Sequence, residues 1–291
     1  MSSTYQIGKY DVTVSHYTAF LNHVAATDNY GLYNPSMASD LNSAGITQNG
    51  SSGSYSYSVI SGMGNHPVTY VSWYDAARFS NWLSNGQPTG GEVNGVTETG
   101  SYTLTGNTGM PIYNGTGLYR IPTESQLYKA AYYDPSIGGA NNYWAYATRS
   151  STAPGNIVGS GANMANYYTH QGSNAFSMTQ SASYSATQNY LTDVGAFTGS
   201  ASAYGTFDQN GDVFQWNDAT FSSSSRGLRG GSWRFGSFFL QSSGQTAPYG
   251  PTFENYDVGF RIATVPEPSS ALLLLGSGML LVVRRRRAAA V

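Results

Sequence analysis

The chain contains no cysteine. That excludes disulfides, thiolate nucleophiles, zinc–cysteine sites and iron–sulfur clusters at once. Charge is scarce too: Asp, Glu, Lys and Arg make up 10% of the 291 residues, against about 25% in an average soluble domain. Lysine occurs only at Lys9 and Lys129. Apart from one arginine run near the end there is no basic stripe, which excludes a protein that tracks nucleic-acid phosphates. There is no Gly-x-Ser-x-Gly elbow, phosphate-binding glycine loop or paired-histidine metal motif. The start, MSSTYQIGKY, lacks the basic and apolar segments of an export leader; because it also opens directly on a strand-like Tyr5-Gln6-Ile7, we expect a truncated N-terminus.

What is abundant is glycine (35 residues) and tyrosine (24 residues), in a background of Ser, Asn and Thr. That composition predicts short strands and many turns, in a chain long enough for one large domain. Charge is unevenly placed. Of 13 basic residues four are Arg284, Arg285, Arg286 and Arg287, and of 15 acidic residues Glu267 lies in the same tail, so the body carries 9 and 14, a net charge of −5.

The tail, residues 264–291, has three parts. Residues 265–270 contain Pro266, Glu267 and Pro268; residues 271–283 are apolar except for Gly276, Ser277 and Gly278; residues 284–287 are the arginines. Thirteen helical residues span roughly 20 Å, short of the roughly 30 Å of a bilayer core, and flanking arginines snorkel to recover part of the difference. Positive charge on the C-terminal side puts that end in the cytoplasm. This order of parts resembles the PEP-CTERM sorting signal of Gram-negative bacteria. The resemblance implies an exosortase partner that cuts near the motif, a transient inner-membrane anchor through one short transmembrane helix, and a body delivered to the cell envelope or the extracellular space.

In the body, Tyr17, Phe20, Leu21 and Val24 recur at helical spacing and predict an amphipathic helix over 13–25. His16 and His23 lie seven apart, whereas a helical metal pair needs four, so we read them as surface or partly packed. Ser43–Gly64 reads as a loop with a small hairpin. Val68, Tyr70 and Ser72 alternate like a strand, and Ser72 with Asp75 starts a helix by a capping-box pattern. A second hairpin is expected around Val96–Leu104, and a further helix after Thr123, with Gln126 as its reciprocal partner. Residues 134–203 read as irregular.

Five blocks then recur in the order of a known family: Val12-Thr13; Pro67-Val68 with Val71-Ser72-Trp73; Arg120 with Pro122-Thr123-Glu124; Asp208 to Trp216; and Arg229-Gly230-Gly231-Ser232-Trp233 followed by Gly259-Phe260-Arg261. Across residues 5–263 they resemble the formylglycine-generating enzyme, or sulfatase-modifying factor, domain. The implied fold is α+β, C-type-lectin-like, with little regular structure, occupying residues 1–263. The resemblance also marks a departure. The family's two copper-binding cysteines align with Phe235 and Leu240, which supply no thiolate. The iron-dependent relatives use a histidine triad that His16, His23, His66 and His170 do not match.

Asp208, Asn210 and Asp212 have the alternation of a calcium loop, although an Asn210-Gly211 hairpin turn with solvated acids explains the same residues. The resemblance implies a structural calcium on the Asp208 side chain, the Gly211 and Val213 carbonyls and the side chain at Gln215, where the family has glutamate. It also implies a second loop starting at Asn166 and Tyr167. Trp233, Arg234 and Phe235, with Phe238 and Phe239 behind them, occupy the former active-site region, either as a ligand pocket or as core filling. We therefore expect an exported, non-catalytic binding or matrix protein that meets extracellular polysaccharide or a protein ligand, without copper and without nucleic acid. The alternative is a formylglycine-generating oxidase or an enzyme using carboxylates among Glu124, Asp208, Asp212 and Asp218.

Overall fold

The computed structural model describes residues 4–137, 142–169, 175–244 and 249–264. A two-residue strand, β1 (Gln6–Ile7), precedes helix α1 (Val14–Val24). The helix starts where Thr13 turns extended, its side chain accepting from the His16 N–H while His16 Nδ1 accepts from the Thr13 N–H. Histidine here takes the place of the usual Glu or Gln in the reciprocal cap. Tyr17, Phe20, Leu21 and Val24 are all buried, as their spacing predicts. His23 packs its ring 5.3 Å from that of Trp82.

After the single turn α2 (Ser36–Ser39), strands β2 (Ile46–Asn49) and β3 (Ser56–Val59) form the expected hairpin, with Ile46 opposite Val59. Helix α3 (Trp73–Ser84) follows the Ser72/Asp75 box and is buried from Trp73 to Trp82. Strand β4 (Tyr119–Arg120) leads into α4 (Glu124–Tyr132), capped by Thr123 and Gln126 in both directions. The remaining elements are β5 (Phe214–Ser222), β6 (Ser225–Arg229), a 3-10 turn (Ser237–Leu240), β7 (Val258–Gly259) and β8 (Ala263–Thr264).

Strand β8 sits between β1 and β4, so both ends of the body close one small sheet. In the other, β5 pairs antiparallel with β6 and parallel with β7. Aromatic rings of α1, α3 and β7's neighbour Phe260 meet between them: Phe79 lies 5.3 Å from both Phe20 and Phe260. The architecture is the expected mixture of small helices and sheets, and the described part of 134–203 forms no helix or strand beyond isolated bridges.

Two expectations fail locally. Residues 68–72 form no strand, because Tyr70 takes a left-handed conformation (φ 58°) that breaks the extension. Residues 96–104 form no hairpin. The Asn81 amide donates to the Thr97 and Tyr102 carbonyls and its oxygen accepts the Tyr102 N–H, so one buried side chain takes the backbone bonds a partner strand would have used. The motif at 265–270, the apolar stretch 271–283 and the arginines 284–287 lie outside the described residues. Among the described residues, no helix is long and apolar enough to cross a membrane.

The same region holds a buried ion pair. Arg78 Nε donates to Glu98 Oε1 at 2.7 Å and Nη2 to Oε2 at 3.0 Å, with Arg78 fully buried. Truncating one partner leaves the other charge without compensation. Arg78→Met should therefore destabilise the fold by about 3–5 kcal/mol, read from urea denaturation; a loss within about 0.5 kcal/mol, the range of a neutral surface change, would show that the pair does not organise this segment.

Candidate functional site

Strand β6 ends at Arg229, which is held by Glu124 through Nε at 2.6 Å. Two glycines in left-handed conformation, Gly230 (φ 105°) and Gly231 (φ 77°), then turn the chain. A Cβ at position 231 would stand 2.5 Å from Leu240 Cδ1, so this turn requires glycine. Ser232 Oγ donates to Asp257 Oδ2 at 2.8 Å, and the Trp233 N–H donates to the Asp212 carbonyl at 2.9 Å. These bonds fix the three residues that follow.

They do not share one environment. Trp233 is 1% exposed and stacks on Tyr190, with ring centroids 4.6 Å apart and planes 8° from parallel. It is a floor beneath the surface. The two residues after it are outside. Arg234 is exposed, donates to the Tyr256 hydroxyl at 2.5 Å, and holds its guanidinium 5.5 Å from the Tyr184 ring centre. Phe235 (37% exposed) and Phe238 (63% exposed) extend the apolar side of this face. Tyr184 and Tyr256 were not legible as site residues, since the Gly-Gly-Ser-Trp turn brings them to Arg234 from other loops.

The positions aligned with the family's cysteines diverge. The Phe235 ring packs on Phe214 and Phe239, whereas Leu240 is fully buried in a separate cluster with Tyr146, Ala165 and Tyr167.

The loop 208–215 is built by backbone strain and side-chain bonds. Asp208, Gly211 and Asp212 all have positive φ. The Asn166 carbonyl approaches Gly211 so closely that a Cβ there would lie 2.1 Å from it. Asp212 accepts from Asn166 Nδ2 at 2.9 Å and from the Thr192 N–H and hydroxyl at 3.2 and 2.8 Å. Burial, with Asp208 nearby, pushes its carboxyl well above the usual range. Asp208 Oδ2 accepts the Gly195 N–H at 2.7 Å. Gln215 donates through Nε2 to the Asp208 carbonyl at 2.7 Å, and its oxygen accepts from Arg261 Nε at 2.8 Å. Tyr167 is buried, its hydroxyl donating to the Pro154 carbonyl, and Val213 packs with Trp233.

The Gln215 amide is therefore turned to the Asp208 backbone carbonyl, its oxygen is held by a guanidinium, and the Asp208 carboxylate accepts elsewhere. This does not fit a calcium ion shared by those two side chains. The other carboxylates weighed for catalysis are also engaged: Glu124 by Arg229 and Asn217, and Asp218 by Arg120 and Arg226.

Comparison with known proteins agrees with this architecture. Residues 2–265 match the sulfatase-modifying factor enzyme 1-like domain, and the chain belongs to that family. Residues 264–287 match the PEP-CTERM protein-sorting motif, an exosortase signal that marks the chain for export to the cell envelope or beyond. Among solved structures the chain is similar to CarF, at 20% identity with a TM-score of 0.50 over 90% of this chain and 87% of that one. At that identity the likeness concerns the fold alone. Variable protein 1 of Treponema denticola (20% identity, TM-score 0.47, 90% of this chain and 84% of that one) and PvdO from Pseudomonas aeruginosa (17%, 0.47, 90% and 80%) also match. No curated protein matches the chain.

Asp257, under the Gly-Gly-Ser-Trp turn, gives a test of the site's electrostatics. Burial pushes its carboxyl up to about 6, against the Ser232 hydrogen bond and Arg234. The unfolded chain ionises near 3.9, so the folded state holds the proton longer, and wild type loses stability as pH rises from about 4 through 6. Asp257→Asn lacks that loss. Its stability relative to wild type should climb over the same window by up to about 3 kcal/mol, measured by urea denaturation. A difference that is flat in pH, or that runs the other way, would contradict this placement.

Proposed function

We propose that this chain is an exported, non-catalytic binding protein, with the face around Arg234 as its ligand site and extracellular polysaccharide or a protein as its ligand. One observation carries the reading. Of the seven body arginines, Arg78, Arg120, Arg149, Arg226, Arg229 and Arg261 pair with carboxylates, and among the described residues Arg234 alone has no such partner. It stands exposed between Tyr184 and Tyr256. An unneutralised guanidinium framed by aromatic faces suits sugar hydroxyls, carboxylates or a peptide. The C-type-lectin-like character implied by the family supports the same reading by analogy of fold. The missing thiolates support a pseudoenzyme, because a family oxidase needs two and the chain has none. The tail supports delivery to the compartment where such ligands are met, passing through a transient membrane anchor.

The test is equilibrium titration of the full chain, in mild detergent, with exopolysaccharide from the producing organism. Saturable binding that Arg234→Gln weakens about tenfold or more, equivalent to about 1.4 kcal/mol, is the expected result. Because the Gln215 amide already donates to the Asp208 backbone carbonyl and its oxygen serves Arg261, the affinity should be the same with calcium and with chelator. Absence of saturable binding would overturn the polysaccharide reading in favour of a protein ligand, and an Arg234→Gln affinity equal to wild type would overturn the assignment of this face.

A further inference from the structure

The chain's two lysines are 120 positions apart, yet both line one cavity of about 550 Å³. Its walls include Tyr5 and Gln6 at β1, Lys9 just after it, Lys129 on α4, and Tyr204 and Thr206 from the loop before the 208–215 segment. The volume lies within the range of about 300–1,000 Å³ of small-molecule sites. It is separate from the Arg234 face, which contributes none of these residues.

Charge makes the cavity distinctive. In a body of net charge −5, six of nine cations are spent in ion pairs with carboxylates. Among the described residues the remaining three are Arg234, Lys9 and Lys129, and two of these share this cavity. Neither lysine pairs with a carboxylate. Lys9 holds its ammonium 5.1 and 5.3 Å from the ring centres of Tyr10 and Phe207, and Lys129 lies 5.8 Å from that of Tyr133. The Lys9 backbone is fixed, because its carbonyl accepts from the Phe207 N–H at 2.9 Å.

The rim is aromatic. Tyr204, 48% exposed, stacks on Tyr133 with centroids 6.4 Å apart and planes 20° from parallel, and Tyr133 lies 5.1 Å from the exposed Tyr143. Inside, Tyr5 anchors its hydroxyl on the Gln126 carbonyl at 2.7 Å. Phenol faces beside ammonium groups present an apolar surface and a positive charge side by side. A pyranose ring bearing a carboxylate has the complementary pair: a C–H face and an anion. Two lysines are too few for a nucleic-acid backbone track, and membrane surfaces are read by clusters of about 4–8 basic residues.

We propose that this cavity is a second binding site, selective for acidic saccharides of the uronate class. The inference extends the binding reading above but rests on different residues, so the two stand or fall separately.

The experiment titrates the full chain, in mild detergent, with oligogalacturonate, its methyl ester and neutral dextran. The expected pattern is saturable oligogalacturonate binding that weakens with added salt, at least tenfold weaker binding of the methyl ester, and none of dextran. The double variant Lys9→Gln/Lys129→Gln should lose at least tenfold in affinity, Lys9→Arg/Lys129→Arg should retain most of it, and Tyr204→Ala should lose severalfold. Lys9 is exposed and Lys129 half-buried, and among the described residues neither is in an ion pair, so circular dichroism should show these variants folded. No saturable binding of oligogalacturonate, equal binding of its methyl ester, or full affinity in the Lys→Gln double variant would overturn the proposal. Loss in Arg234→Gln with full binding in the double variant would also overturn it, by moving the acidic sugar to the other face, while leaving the assignment of that face standing.

Discussion

Arg261 is fully buried and binds three separate stretches of chain at once: residues 8–11, Phe207 and Gln215. Its Nη2 pairs with Asp11 Oδ1 at 3.1 Å and donates to the Phe207 carbonyl at 2.7 Å, its Nη1 donates to the Gly8 carbonyl at 2.7 Å, and its Nε holds the Gln215 oxygen. A guanidinium is suited to this because its donors are fixed in a planar fork and it stays charged at every relevant pH. Burial pushes Asp11 up to about 7 even though Arg261 pulls the other way. The interior therefore tolerates this ion pair at a desolvation cost, and what it gains is geometry. Around it the segment after the first strand and the strained 208–215 loop are tied to the residues before the last strand, while β1 and β8 also pair directly.

The rest of the molecule repeats that solution on a smaller scale. Regular elements are short, so backbone groups that helices and strands would satisfy are met by side chains instead. Asn81 closes the 97–102 segment, Asp212 receives Asn166 and Thr192, and Asn210 donates to the Leu240 carbonyl. A polar framework of this kind fixes long loops in single conformations, which is what lets the tyrosines of distant loops frame Arg234 and lets β1, α4 and residues 204–206 enclose one cavity.

Local rules in the sequence made part of this legible. Caps at Thr13, Ser72 and Thr123 place three helices, the spacing of Tyr17, Phe20, Leu21 and Val24 gives the buried face of the first, and five motif blocks give the family. Other features are set by long-range contact and leave no local mark. Tyr70 turns left-handed in a segment whose alternation reads as strand. Trp233 reads either as pocket or as core, and Tyr190, arriving from an irregular loop, covers it. Gln215 is a calcium ligand only by what the resemblance implies, and Arg261, 46 residues away, claims its oxygen. The two lysines are visible at a glance as scarce, but only the closure of β1 against the last strand beside α4 puts them together.

The central claim is that the fold hangs on the polar junction at Arg261 more than on any helix. Native-state amide hydrogen exchange on the full chain tests it directly. The Gly8, Val12 and Phe214 amides, which donate to Ile262, Phe260 and Asp257 around the junction, should exchange only by global unfolding and rank with the slowest in the protein. If they exchange as fast as amides at the exposed end of β5 while those of α3 stay protected, the junction opens independently of the helical core and the claim is wrong.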